Sequence, residues 1–211
     1  MSLNRPDVIR FAFPNKGRLA EPTAELLKRS GYAFRQRERS LYATCTTAEI
    51  VFIFVRADDI PVLVDSGVID VGITGGDLVA ERQADVAELL ELGFGRCRLC
   101  VAGPESAGSQ GLERFAGKTI ATSFPQTTRQ FFADKGIAVR TIEMNGAVEI
   151  MVGLNLADGI VDIVETGDSL RENHLAVIAE IGTYQTMLIA SRAMAADPRV
   201  LQIRRRIEGI L

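Results

Sequence analysis

One twelve-residue stretch of this chain occurs twice without a gap, and it constrains the fold more than any other feature. Gly67-Val-Ile-Asp70-Val-Gly-Ile-Thr74-Gly75-Gly-Asp-Leu78 aligns with Gly159-Ile-Val-Asp162-Ile-Val-Glu-Thr166-Gly167-Asp-Ser-Leu170, five of the twelve positions being identical. Each copy reads as a buried strand, a Thr-Gly turn and the start of a helix: an apolar run, then small residues, then renewed helical spacing. Two such units in the two halves imply two lobes of related build, with ligand held in the cleft between them. Convergent strand-turn-helix chemistry is the other account of the match.

Between and around the copies, short apolar runs alternate with helical patterns, as an α/β chain requires. Residues 8–14 read as a strand and 18–30 as a helix, with Pro22 in its first turn and Gly31 past its end. Residues 41–45 and 50–55 form a hairpin pair around Thr46-Thr47, 58–65 a short helix and 68–73 a buried strand. In the second half, strands are expected at 98–102, 119–122, 139–143 and 159–164. Helices are expected at 125–135, 147–154 and 198–211, and 103–111 is the most loop-like stretch.

With 211 residues and 47% hydrophobic content, the chain can bury a core without disulfides or metals. With a net charge of −3 nothing suggests a duplex-binding face, which would need a basic excess against phosphate. The runs Arg35, Arg37, Arg39 and Arg204–Arg206 are local and read on pattern as solvated surface. Three cysteines point to a reducing compartment. Cys97-x-x-Cys100 lies in a strand-like run with no second ligand pair, so it reads as packed thiols. The N-terminus lacks a signal-peptide core and no run spans a membrane, so the expected place is the cytoplasm.

The segment Asp162-Ile-Val-Glu165-Thr166-Gly167-Asp168-Ser169-Leu170 carries the clearest chemistry. A strand delivers two carboxylates at its end, and a small-residue turn then opens a helix. Such a turn aims several amides, and the positive end of the helix, at one point, which suits a phosphate monoester. Thr166 and Ser169 can donate to the same oxygens, and the acids can accept from ribose hydroxyls. The pattern therefore spells a sugar phosphate; a solvated acid pair with a helix cap is the plain alternative. Only the second copy can grip a diol in this way, because the first has Ile73 where the second has Glu165. Phe13-Pro-Asn-Lys16-Gly-Arg18-Leu19 sets two cations at a strand-helix junction, a polyanion site or simply a basic turn. It lacks the spacing of a P-loop. A leaving pyrophosphate would need both sites.

Nearly the whole chain resembles the ATP phosphoribosyltransferase family. The motifs fall in order: 13–19, Val55-Arg56-Ala-Asp-Asp-Ile-Pro61, Gly72-Ile-Thr74-Gly75, 92–99, Ala121-Thr-Ser-Phe-Pro125, Asn145-Gly-Ala-Val-Glu149 and Asp162–Gly167. The resemblance implies a two-lobed α/β fold like type II periplasmic binding proteins, with the ligand cleft between the lobes. Residues 1–92 plus 183–211 would form lobe I, on the ATP and pyrophosphate side with the dimer contacts, and 93–182 lobe II, binding phosphoribosyl pyrophosphate (PRPP). It also implies the short form: a homodimer joined by a regulatory subunit resembling histidyl-tRNA synthetase, in a hetero-octamer.

The implied reaction is attack of the ATP ring nitrogen N1 on C1 of PRPP with loss of pyrophosphate, the first step of histidine biosynthesis. By the same resemblance, Arg18 and Arg39 stabilise the leaving pyrophosphate, Arg39 across a dimer interface, with Lys16 along the phosphates. Arg56, Thr74 and Gly75 are expected on the ATP side. Glu149, Asp162 and Glu165 should hold the ribose, and Thr166, Gly167, Asp168, Ser169 and Leu170 the 5′-phosphate. Mg2+ should arrive with the substrate, with no protein metal site. Gly76-Asp77 departs from relatives that carry Lys before the Asp, and Asp168 in a phosphate turn should point outward, capping the helix. His174, the single histidine, reads as a surface or structural residue. The rival readings are a cytoplasmic ligand-sensing or solute-binding module of the same fold, and a phosphoribosyltransferase with another acceptor base.

Overall fold

The computed structural model describes residues 7–36, 40–105 and 111–211. In chain order the elements are β1 (Ile9–Pro14), α1 (Ala20–Arg29), β2 (Tyr42–Thr44), β3 (Ile50–Val55), α2 (Ile60–Asp65), β4 (Val71–Gly75), α3 (Gly76–Arg82) and β5 (Val86–Glu91). There follow β6 (Cys97–Pro104), β7 (Thr119–Thr122), α4 (Pro125–Asp134), β8 (Arg140–Glu143), α5 (Glu149–Gly153), β9 (Gly159–Val164) and α6 (Asp168–Glu172). The chain closes with β10 (Leu175–Tyr184), β11 (Thr186–Ser191) and α7 (Pro198–Glu208). These divide into two compact units, residues 1–95 with 185–211 and residues 96–184.

Unit 1 is a six-stranded sheet in the order β2-β3-β1-β4-β11-β5. The apolar runs Ile-Arg-Phe-Ala-Phe of β1 and Ile-Val-Phe-Ile-Phe of β3 pair in parallel, setting Phe11 opposite Phe52 and Phe13 opposite Phe54. Buried aromatic and β-branched side chains of this kind favour a central strand. Phe13 and Phe54 meet edge to face at 5.1 Å, and Phe34 lies 4.5 Å from Phe52. Leu26 and Leu27 of α1 and Val200, Ile203 and Ile207 of α7 complete this core. On a second cluster, Ile60 and Val64 of α2 pack with Ala12 and Ile189. Gly72 permits that approach, since a Cβ there would lie 2.5 Å from Ile60 Cγ2.

Unit 2 is a five-stranded sheet in the order β10-β6-β9-β7-β8. Its core gathers Cys100, Ala102, Ala121, Ile160, Val164 and Leu170. All three cysteines of the chain are free and buried, as packed thiols should be. Gly103 and Pro104, expected to open a loop, instead pair with Ala176 and Leu175 in β6, while 106–110 lie outside the described residues. Among the described residues no helix is long and apolar enough to cross a membrane.

The two copies of the repeat occupy corresponding slots. β4 lies between parallel β1 and antiparallel β11, and β9 between parallel β7 and antiparallel β6. The helices start at aligned positions, Gly76 and Asp168, but the strands do not coincide. In the first copy the strand begins at Val71 and runs through Thr74 and Gly75, which pair with Met187 and Thr186. The expected Thr-Gly turn is therefore absent there, Gly75 standing extended at φ −76° and ψ 139°. In the second copy the strand stops at Val164 and a genuine turn follows, with Gly167 at φ +81°. Three helix starts also fall two residues later than the sequence suggests, α2 among them at Ile60 rather than 58. Gly17 at φ +84° keeps Arg18 outside α1, and Ala147 at φ +49° delays α5 to Glu149.

Candidate active site

In unit 1 the parallel strands β1, β3 and β4 end at one edge of the sheet, where ligands of open α/β sheets bind. Asn15–Arg18 follow β1, Arg56 follows β3, and Gly75–Asp77 follow β4. Asn15 N–H donates to Val55 O at 2.8 Å, which binds the first two loops together. Lys16, Arg18 and Arg56 are exposed there. Thr74 is fully buried, and its hydroxyl donates to Ala57 O at 2.7 Å, fixing the loop that carries Arg56. Arg18 Nη1 donates to Gly95 O at 3.0 Å, and Nη2 lies 3.8 Å from Asp77 Oδ2. Sequence reading left Asp77 without a role; the structure buries it beside Arg18, a consequence of tertiary packing that no local pattern announces. Arg39 lies outside the described residues.

In unit 2, β7, β8 and β9 are likewise parallel and end together. Glu149 follows β8 at the start of α5, and Glu165–Gly167 follow β9. Ser169 Oγ donates to Glu149 Oε1, joining the two loops. Asp162 lies near the end of β9, half-buried, and accepts the Ile163 N–H at 2.8 Å. Burial, and secondarily the negative charge of Glu149, push its pKa up to about 6. Glu165 is exposed on the turn, and Leu170 anchors α6 in the core.

Asp168 does not cap α6. It is the first residue of the helix, accepts the Thr166 hydroxyl and pairs with Arg171, so its side chain points outward into an exposed network. The Thr166 bond first, and then Arg171, hold its carboxyl below the usual range. Both hydroxyls expected to meet phosphate thus donate to carboxylates here, Thr166 to Asp168 and Ser169 to Glu149. Arg171, which sequence reading passed over, also reaches Thr166 O at 3.4 Å; the Asp-x-x-Arg spacing on a helix was its one signal. His174 is exposed, at φ +55°.

The first-copy acid has a different fate. Asp70 precedes β4, at the opposite edge of the unit 1 sheet, and is 6% exposed. Arg10 grips it in a bidentate pair, Nη2 to Oδ1 at 2.7 Å and Nε to Oδ2 at 3.1 Å. Asp162, its partner in the alignment, forms no ion pair among the described residues.

Known proteins match this architecture. The family model described as HisG, ATP phosphoribosyltransferase, matches residues 56–209. An ATP phosphoribosyltransferase of Rhodopirellula baltica is 40% identical over 203 residues, 96% of this chain and 68% of that protein. The solved ATP phosphoribosyl transferase (HisG:HisZ) complex from Thermotoga maritima includes a chain with 32% identity and a TM-score of 0.85, covering 96% of this chain and 98% of that one. An arginine-bound ArgBP mutant from T. maritima shares the fold at 14% identity and TM-score 0.60, over 97% of this chain and 96% of that one.

Proposed function

The chain belongs to the ATP phosphoribosyltransferase family, and from that premise we propose which residues carry the reaction and with what partners. The enzyme acts in histidine biosynthesis, joining ATP to PRPP with release of pyrophosphate, so a sensing-module role gives way to catalysis. Its fold is that of type II periplasmic binding proteins.

The residues of each sheet edge divide the work. In unit 2, Glu149, Asp162 and Glu165 accept the ribose hydroxyls, and Thr166–Leu170 enclose the 5′-phosphate, with turn amides as donors. In unit 1, Lys16 and Arg18 take up the diphosphate, while Arg56, held by the Thr74–Ala57 bond, and Gly75 serve ATP. The bond from C1 to the diphosphate oxygen breaks as the bond from C1 to N1 of ATP forms. A ring nitrogen needs no general base, so catalysis consists of positioning and of stabilising charge on the leaving group. Magnesium enters with the diphosphate as substrate. Arg39, by the family resemblance alone, completes the diphosphate site across a homodimer.

The partner is a regulatory subunit of the HisZ kind, in keeping with the likeness to the T. maritima HisG:HisZ complex and with the hetero-octamer expected from sequence. The free thiols fit a cytoplasmic setting.

The observation that carries the residue assignment is the gathering of the cations at one strand edge and of the acids with the glycine turn at the other. Arg18→Ala tests it through pyrophosphate release from ATP and PRPP. Loss of one charge-stabilising arginine lowers turnover ~10²-fold or more, about 3 kcal/mol. An unchanged rate removes Arg18 from the mechanism.

A further inference from the structure

We infer that Asp77 is a positioning residue for Arg18: its buried carboxylate, folded against Gly75, steers the guanidinium into place at the carboxyl edge of the unit 1 sheet. This rests on the reading of Arg18 as the arginine that meets the diphosphate.

A carboxylate beside a polyanion site is costly in two ways. It repels the substrate, and it loses hydration when buried. Asp77 nevertheless lies in the first turn of α3, 3% exposed. Its Oδ1 is closed to solvent and has no hydrogen-bond partner. Its place is prepared by the backbone, for a Cβ on residue 75 would stand 2.1 Å from Oδ1. The glycine therefore leaves the room that the carboxylate fills. Burial raises its pKa, and Arg18 opposes that shift, followed by the amides of Asp77 and Leu78. Arg18 thus favours the charged form of an acid that burial disfavours, and the acid in turn orients the cation.

Arg18 is approached from two directions. Gly95 O accepts from Nη1 at 3.0 Å, and Asp77 Oδ2 lies 3.8 Å from Nη2. The second contact is longer than a hydrogen bond and acts through charge, so it orients the guanidinium without a directed bond to that atom. The supporting carbonyl is itself fixed. Gly95 stands at φ +64°, and a Cβ there would meet Leu19 Cδ2 at 2.5 Å and Thr186 Oγ1 at 2.6 Å. An arginine held in this way meets a leaving group without first being ordered, which is the part of catalysis that preorganisation supplies.

The test is a double-mutant cycle on the full chain: Asp77→Asn, Arg18→Ala and the pair, each with kcat, both KM values and a thermal melt. Asp77→Asn is expected to lower kcat about tenfold with both KM values within about threefold. Asp77→Asn in the Arg18→Ala background is expected to cost less than about twofold more. Asp77→Ser, read at a lower temperature, gives the same comparison if the Asn variant melts early. A wild-type kcat in Asp77→Asn, or a tenfold loss that persists without Arg18, overturns the inference while leaving Arg18 in its role. A wild-type rate in Arg18→Ala alone overturns the underlying assignment instead.

Discussion

Replacing Asp162 by Asn should make the protein more stable and a worse enzyme. The carboxyl of Asp162 is pushed from an ordinary 3.8 to about 6, chiefly by burial and then by Glu149. At neutral pH the fold therefore carries a charge it disfavours, at a cost of about 3 kcal/mol if the whole displacement counts, and roughly half that after solvent screening of a half-buried group. The direction is fixed by linkage. A raised folded-state pKa gives stability that is complete below about 4 and lost as pH rises through about 6. Asn has no charge to lose, so the gain of Asp162→Asn should be largest above pH 7 and vanish near pH 4. In a melting experiment about 1.5 kcal/mol corresponds to a rise of roughly 3–6 °C for a chain of this size. Function should move the other way. The carboxylate accepts a ribose hydroxyl in the proposed complex, and losing a hydrogen bond to a charged acceptor costs about 1.5–3 kcal/mol. KM for PRPP should rise about 10- to 100-fold, and in the wild-type enzyme it should rise as pH falls below about 6. Melts from pH 4 to 8 and pyrophosphate-release kinetics read both effects. An Asn variant that melts lower than wild type at pH 7.5, or keeps its advantage at pH 4, would refute the burial reasoning. An unchanged KM for PRPP would remove Asp162 from the ribose site.

Two other outcomes follow from the same contacts. Asp168→Ala should release Thr166 and Arg171 from a competing anion and lower KM for PRPP about two- to fivefold, without raising kcat; a higher KM would mean that Asp168 assists binding. Asp70→Ala should cost about 2–3 kcal/mol of stability by orphaning Arg10, yet leave kcat intact, because the pair sits at the edge of the sheet away from the loops; thermal melts and kcat read together check it.

The sequence disclosed what local chemistry determines. β9 was readable to its ends because two Ile-Val pairs flanking Asp162 start at Gly159 and stop just before the Glu-Thr-Gly turn. The aromatic strands β1 and β3, and α4 between Pro125 and Gly136, were as plain. Tertiary contacts decided the rest. Thr74 and Gly75 carry the letters of a turn, but the Thr74 hydroxyl is claimed by Ala57 O and the backbone by β11, so they remain strand. β10 was missed because its pairing slips twice, between Val177 and Ala179 and again between Glu180 and Gly182, which erases the period of two. Of the site, the turn, the acids and the basic junction were visible as residue types. The burial of Asp77 was not, since charge buried by packing leaves no local trace.

The early release of β9 has a wider meaning. A backbone amide serves one acceptor at a time, and an amide that belongs to a ladder is withdrawn from any ligand. In the first copy the ladder continues to the threshold of the helix, with Thr74 and Gly75 still paired to β11. In the second, pairing ends at Val164, and residues 165–167 stand between strand and helix with their amides outside the sheet. Three residues of unzipping, more than any new side chain, separate a repeat whose backbone stays in its sheet from one whose backbone leaves it where the phosphate is proposed to bind. A substitution that drew Glu165–Gly167 back into register with β6 would abolish the proposed grip while leaving every acid in the sequence unchanged.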